Sequence, residues 1–336
     1  MTEPEKRVEE ILSSPMGCAF FADARERGYL PEDLANPAVS LCLASEAVDM
    51  VERWRSDHEE VVAEMLGLAP VIRPLVEATL AQDGTAWWYE PPDPERQVWI
   101  AHEGETPDPS EWRQPKSPPS EWERYAQKPD SLQYTSTSYN GYTSLLIAYE
   151  NHTGDMWAQS WPLQCWRMRT LADVRIYELH GPADWHRLCV AYPAHDSDDG
   201  RLVPDWGAAS ADWDGVHLSL GGLLSCEQNR VESPEGWSKH EFWHTERTFW
   251  LRAVDAVCER MPDYHGGEPH PPPSGEPQQT FPPYQPPTED RPGIMILREY
   301  EPGEEPPDLD ALLEAERRRI AGLSDGDDGE VSLEVN

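Results

Sequence analysis

Tryptophan is the residue that most restricts what this chain can become. All of the 15 tryptophans except Trp54 lie between Trp87 and Trp250, and large aromatics accumulate only where a core exists to bury them. Proline marks the opposite extreme. Of the 34 prolines, 14 fall between Pro262 and Pro307, where the chain cannot gather enough apolar surface to offset the ordering of its backbone. The two distributions divide the 336 residues into a helical lobe (1–84), a tryptophan-rich α+β body (85–262), a proline-rich disordered linker (263–307), a short amphipathic helix (308–323) and an acidic disordered end (324–336).

Apolar residues recur at helical spacing in the lobe, as Val8, Ile11 and Leu12 and again as Leu41, Ala44, Val48 and Val51, and Ser56 with Glu59 forms a capping-box pattern. In the body, strands are expected at Gln97–Ala101, Leu163–Met168, Val174–His180 and Val216–Leu220. A helix is expected at Pro182–Tyr192, with Pro182 in its first turn. Strands and helices alternate only loosely, so the expected fold is α+β, with a mixed or antiparallel sheet rather than a doubly wound one. Asn140-Gly141 predicts a β-hairpin with arms Gln133–Tyr139 and Tyr142–Tyr149, because this dipeptide tolerates the positive φ angles of a tight turn. The last element expected in the body is a helix from Ser238, carried by Phe242, Glu246, Phe249, Trp250, Ala253, Val254 and Val257 and stopped by Pro262.

The formal net charge of −36, with a pI near 4.5, repels phosphate backbones and anionic lipid, so direct nucleic-acid binding is not expected. The six cysteines are dispersed without a CxxC pair, which reads as reduced thiols in a cytoplasmic protein. The early apolar run Met16–Ala22 is too short to span a bilayer and follows acidic rather than basic residues, so neither a membrane segment nor a signal peptide is expected. In the tail, Leu309, Leu312, Leu313, Ile320 and Leu323 behind Asp308 form an amphipathic helix, expected to dock on the body or on a protein partner.

Two motifs carry chemistry. On a helix, the histidines of His240-Glu241-Phe242-Trp243-His244 would face the same way and share a zinc ion, with Glu241 as base for the bound water. These five residues resemble the zincin metallopeptidase helix, although Lys239 and Glu246 are charged where that family has uncharged neighbours. The resemblance implies a zinc-dependent hydrolase with His240 and His244 as ligands; the plain alternative is a solvated helix surface.

The second motif is an order. Arg124, then Ser136-Thr137-Ser138 on a strand, then Glu227 beyond another strand, resembles the arginine, Ser-Thr-Ser, glutamate order of the ADP-ribosyltransferases, over about residues 120–235. The resemblance implies NAD as the molecule used: Arg124 would hold a phosphate, the hydroxyls of Ser136, Thr137 and Ser138 would brace the nicotinamide-ribose pocket, and Glu227 would stabilise an oxocarbenium-like transition state. An NAD glycohydrolase fits the same residues, and a serine- and threonine-rich hairpin with solvent-facing hydroxyls is the plain alternative. The stretches Trp-Glu-Arg-Tyr-Ala-Gln-Lys-Pro and Trp-Asp-Gly-Val-His-Leu-Ser are similar to those of a protein family of GC-rich actinobacteria, which implies a setting and no activity. His180 and His217 read as satisfied turn or core histidines. Three functions stand open: an NAD-using transferase or glycohydrolase, a zinc hydrolase, and a non-catalytic interaction protein.

Overall fold

The first segment folds as α1 (Glu3–Leu12), α2 (Pro15–Arg27), α3 (Pro37–Met50), α4 (His58–Gly67) and α5 (Ala69–Leu80). In the computed structural model the described residues are 2–51, 58–101, 106–129, 133–139, 141, 143–153, 162–171, 173–195, 200–241, 243–266 and 273–275. Helix α1 opens on a reciprocal cap, in which the Thr2 amide donates to Glu5 Oε2 at 2.7 Å and Thr2 Oγ1 accepts from the Glu5 amide at 3.5 Å. Every residue of α2 from Pro15 to Ala22 is buried. That explains the apolar run Met16–Ala22: it is the inner helix of the lobe, wrapped on all sides. A Cβ on Gly17 would sit 2.6 Å from the carbonyl oxygens of both Ile11 and Leu224, so only glycine permits this close a crossing.

The body carries β1 (Gln97–Ala101), β2 (Tyr134–Thr137), β3 (Gln164–Thr170), β4 (Ile176–Leu179), β5 (Pro193–His195), β6 (Leu202–Pro204), β7 (Gly215–Leu218), β8 (Arg230–Ser233), β9 (Gly236–Lys239), β10 (Arg247–Trp250) and β11 (Ala256–Arg260). Between them run α6 (Glu121–Ala126), α7 (Leu145–Thr153), α8 (Pro182–Ala191), α9 (Trp206–Ala209) and α10 (Leu220–Cys226). Seven strands form one mixed sheet in the order β11-β3-β1-β2-β10-β7-β4. Every neighbouring pair is antiparallel except β4 with β7. The fold is therefore α+β, as the loose alternation of elements predicts. Strand β1 and helix α8 fall on their expected positions. Separate two-stranded ribbons join β5 to β6 and β8 to β9.

Two expected elements are different. The turn at Gly141 exists, with φ +58 and a Tyr139 amide to Thr143 carbonyl bond of 2.8 Å, but the chain leaves it as helix α7 and not as a second hairpin arm. Ser144 accepts from the Ile147 amide at 3.3 Å and so starts the helix. Leu145 and Tyr149 enter one buried cluster while Leu146 and Ile147 enter another. A short run that is apolar on both sides carries no period to separate helix from strand.

The helix expected from Ser238 is instead the end of β9 and then β10 and β11, with no helix between them among the described residues. Within β10, Phe249 and Trp250 alternate to opposite faces of the strand. Central pairing of β10 with β2 and β7 satisfies its backbone on both sides, which outweighs local helical spacing.

One hydrophobic cluster runs from Val8 and Phe20 through Trp88, Trp185 and Trp206 to Phe249 and Leu251, so lobe and body share a core. Past the expected boundary at residue 262, Tyr264 exchanges backbone hydrogen bonds of 3.0 and 2.9 Å with Leu163. The Gly275 amide donates to the Gly28 carbonyl at 2.9 Å. The folded body thus extends into the first residues assigned to the linker. Ser56, the helix at 308–323 and the acidic end lie outside the described residues. Among the described residues no helix is long and apolar enough to cross a membrane.

Candidate functional site

Side chains alternate across a strand, so strand register decides which residues meet. Gln97 lies opposite Thr137, Thr135 opposite Thr248, Thr248 opposite His217, and His217 opposite Glu178. These residues form one polar row over β1, β2, β10, β7 and β4. Burying such a row is costly unless its groups are bonded to one another. Gln97 Nε2 donates to Thr137 Oγ1 at 3.1 Å and to the Asp93 carbonyl at 2.9 Å, while Gln97 Oε1 accepts from Thr135 Oγ1 at 2.6 Å. Trp250 Nε1 donates to Thr135 Oγ1 at 3.0 Å, and His217 Nδ1 lies 3.1 Å from Thr248 Oγ1.

A crevice of about 400 Å³ opens on this face, lined by Pro91, Pro92, Gln97, Glu178, Trp213 and Trp250 among others. It is within the size range of small-molecule sites, with apolar walls and a few polar groups on its floor.

The carboxyl group of Glu246, just ahead of β10, ends the row. It accepts from Ser136 Oγ at 2.5 Å, and both of its oxygens accept from the Thr137 amide at 3.2 Å. With a side-chain exposure of 1 %, burial pushes its pKa up to about 7, although the donors of Ser136 and Thr137 pull the other way. His217 Nδ1 lies 3.7 Å from Glu246 Oε1. Burial, with His180 nearby, pushes the His217 pKa down to about 3. The imidazole is therefore neutral at physiological pH, and its closeness to Glu246 is contact rather than a salt bridge.

The residues expected to act together are divided between places. Ser136 and Thr137 meet at Glu246. Ser138 Oγ donates to the Gly141 carbonyl at 2.5 Å and closes the turn. Arg124 sits on α6, where Nη1 donates to the Pro119 carbonyl at 3.3 Å. Glu227 follows α10 and faces His240, Oε2 to Nδ1 at 3.5 Å. Burial raises the Glu227 pKa.

His240 forms an isolated bridge with Glu227 and His244 lies outside any helix, so the shared helical face that the zinc reading needs is absent. The His240 ring packs between Trp185 and Trp243, centroids at 4.8 and 5.3 Å, whereas His244 lies against Tyr149 at 5.9 Å. Among the described residues no group of three or more His, Cys, Asp or Glu side chains gathers as a metal site. The glutamate of the motif, Glu241, is a hub. It accepts from Arg201 Nη2 at 2.6 Å, Lys239 Nζ at 2.8 Å, Gln228 Nε2 at 3.1 Å and Gln127 Nε2 at 3.3 Å. Among the described residues, Gln127 and Gln228 are the non-glycine residues with positive φ, at +52 and +60.

Glu246 and Gln97 are the residues of this site that sequence reasoning missed; His217 is the buried, bonded core histidine that was expected. One signal was present: Glu246 stood out as a charge that the zincin pattern does not want.

No family model, curated protein or solved structure matches this chain.

Proposed function

We propose that the protein acts on the N-glycosidic bond of NAD, as an ADP-ribosyltransferase or NAD glycohydrolase, with Glu246 rather than Glu227 as its carboxylate. The observation that carries this reading is the 2.5 Å contact of Ser136 Oγ with Glu246, joined by the Thr137 amide. The Ser-Thr-Ser stretch thus meets a buried glutamate that titrates near neutrality. The crevice, linked to it through Gln97 and Thr137, supports the substrate class. Its tryptophan walls suit a flat pyridine ring. Its volume suits the nicotinamide riboside half of the dinucleotide.

In the reaction, the bond between ribose C1′ and the pyridinium nitrogen breaks, and its electron pair leaves with nicotinamide, which departs neutral. Positive charge grows on C1′ and the ring oxygen. Ionised Glu246, fixed by its two donors, stabilises that charge without reorganising, and neutral His217 leaves the carboxylate charge uncancelled. Water or an acceptor hydroxyl forms the new C1′–O bond, and its proton passes to Glu246 or to bulk water.

Full-length protein with NAD, alone or with a cell extract, should release nicotinamide. Glu246→Gln should slow this by about 10²–10³-fold, the usual cost of removing one transition-state electrostatic contact. Glu227→Gln should leave the rate within a few-fold. The opposite pattern would return the role to Glu227, and the absence of release under every condition would end the reading.

A further inference from the structure

The side chains around the crevice are held in place by partners that do not line it. Trp213 Nε1 donates to the Tyr192 hydroxyl at 3.0 Å, and its ring stands edge-on to Tyr177 with centroids 5.2 Å apart. Trp250 Nε1 donates to Thr135 Oγ1 at 3.0 Å. With each indole N–H committed to a hydroxyl, the two tryptophans line the cavity as fixed aromatic rings.

Two charged residues also line it, Arg175 and Glu178, and their charges are answered differently. Asp214 Oδ2 accepts from the Arg175 amide at 2.6 Å and lies 4.0 Å from Arg175 Nε. The Arg252 guanidinium bonds the same carboxyl group. Partial burial raises the Asp214 pKa, but the bonds from Arg252 and the Arg175 amide outweigh it and leave the group below its ordinary value. Arg175 therefore stands beside an ionised carboxylate.

Glu178 has no such counterpart: among the described residues no lysine or arginine closes an ion pair with it. Its Oε2 lies 2.7 Å from His180 Nε2, and His180 Nδ1 lies 3.0 Å from Ser219 Oγ. A carboxylate only accepts, so Nε2 carries the proton. The Ser219 hydroxyl is closer to Nδ1 than to the Leu179 carbonyl, at 3.3 Å, and a neutral imidazole satisfies both contacts. Glu178 is thus oriented by His180 without being neutralised, and its side chain keeps 35 % exposure toward a ligand. Tryptophan rings attract a cation through their negative faces, a fixed carboxylate adds direct attraction, and the net charge of −36 draws cations to the surface.

We infer that the crevice binds a flat organic cation of the N-alkylpyridinium class and that Glu178, with Trp213 and Trp250, selects it over neutral rings of the same shape. The site deepens the NAD reading and rests on it for the identity of the ring: oxidised NAD presents a pyridinium, whereas NADH and free nicotinamide present neutral rings. Cleavage turns the ring neutral, so the contacts that hold the substrate let nicotinamide go. They stabilise the ground state and so set KM without raising kcat.

The test is a ligand-observed NMR titration of the full chain with 1-methylnicotinamide and with nicotinamide, which differ by one methyl group and one charge and contain no glycosidic bond. The cation should bind at least about tenfold more tightly. Glu178→Gln should bring the two Kd values within about twofold of each other, while nicotinamide keeps its wild-type Kd and so reports an intact crevice. Nonspecific attraction to an acidic surface would survive the loss of one carboxylate among 63. A preference retained in Glu178→Gln therefore overturns the site, as does equal binding of the two probes by the wild type. Charge preference without nicotinamide release from NAD would end the NAD reading and leave the cation site standing, and release without the preference would do the reverse.

Discussion

The two faces of the central sheet use the same strands for different ends. On one face Val98 and Ile100 of β1, Phe249 of β10, Val216 and Leu218 of β7 and Leu179 of β4 are buried among helices. On the other, the residues one position along are Gln97, Thr248, His217 and Glu178. A period of two thus places apolar packing and a buried polar row a single residue apart, and substitutions at adjacent positions should fail in different ways.

The largest effect is expected at Phe249. Phe249→Ala empties a site between Trp243, at 4.7 Å, and Tyr134, at 5.6 Å, and should cost about 3–5 kcal/mol in urea unfolding. A cost below about 1 kcal/mol would mean that this face is not the one holding the fold together.

Next comes Glu246→Gln, whose effect depends on pH. The Glu246 pKa is raised from 4.5 in its ordinary state to about 7 in the fold. Its protonated form therefore favours folding below about pH 4.5, and that contribution is lost as pH rises through 7. The amide has no charge to bury, so the variant should match wild type near pH 4 and exceed it by on the order of 3 kcal/mol at pH 8. His217 runs the other way: its depressed pKa removes stability as pH falls below about 6.5. For that reason the difference between variant and wild type, and not the wild-type curve, is the quantity to measure. On the NAD reading proposed for this face, a Glu246 variant that gains stability is the expected trade of stability for function.

A smaller effect belongs to Thr248→Val, next to Phe249 and of nearly unchanged shape. It removes the hydroxyl 3.1 Å from His217 Nδ1 and should cost about 1–3 kcal/mol, the range for leaving a buried polar group unsatisfied. The smallest is Ser136→Ala. Ser136 lowers the Glu246 pKa, so its loss should move the acidic limb of the pH–rate profile to higher pH while the urea midpoint at pH 5 changes little. An unmoved limb would separate Ser136 from the carboxylate.

How much of this was legible in the sequence depended on the distance over which each feature is decided. Gln97–Ala101 and Pro182–Ala191 were readable because turn residues or a first-turn proline mark their starts locally. Tyr142–Tyr149 was not, since Leu145-Leu146-Ile147-Ala148 is buried between two clusters and shows neither period. For the site, the Ser-Thr-Ser stretch was visible but its glutamate was not: Ser136 and Glu246 are 110 positions apart, and only the pairing of β2 with β10 brings them together. Glu227 stood closer in the expected order, and the parallel bridge to His240 claims it instead.

The grip of Gln127 and Gln228 on Glu241 has a consequence for how the molecule opens. Both glutamines stand at the exits of short helices, α6 and α10, in the left-handed region where glycine is usual and other side chains cost about 1 kcal/mol or more. Glycine would relax the backbone at either exit but would delete an amide that holds the shared carboxylate. Two segments remote in sequence are thereby tied to one anchor, and neither can fray without loosening the other. In hydrogen exchange the amides at the two exits should open as one cooperative unit with a single free energy, and Glu241→Gln should divide that unit into two.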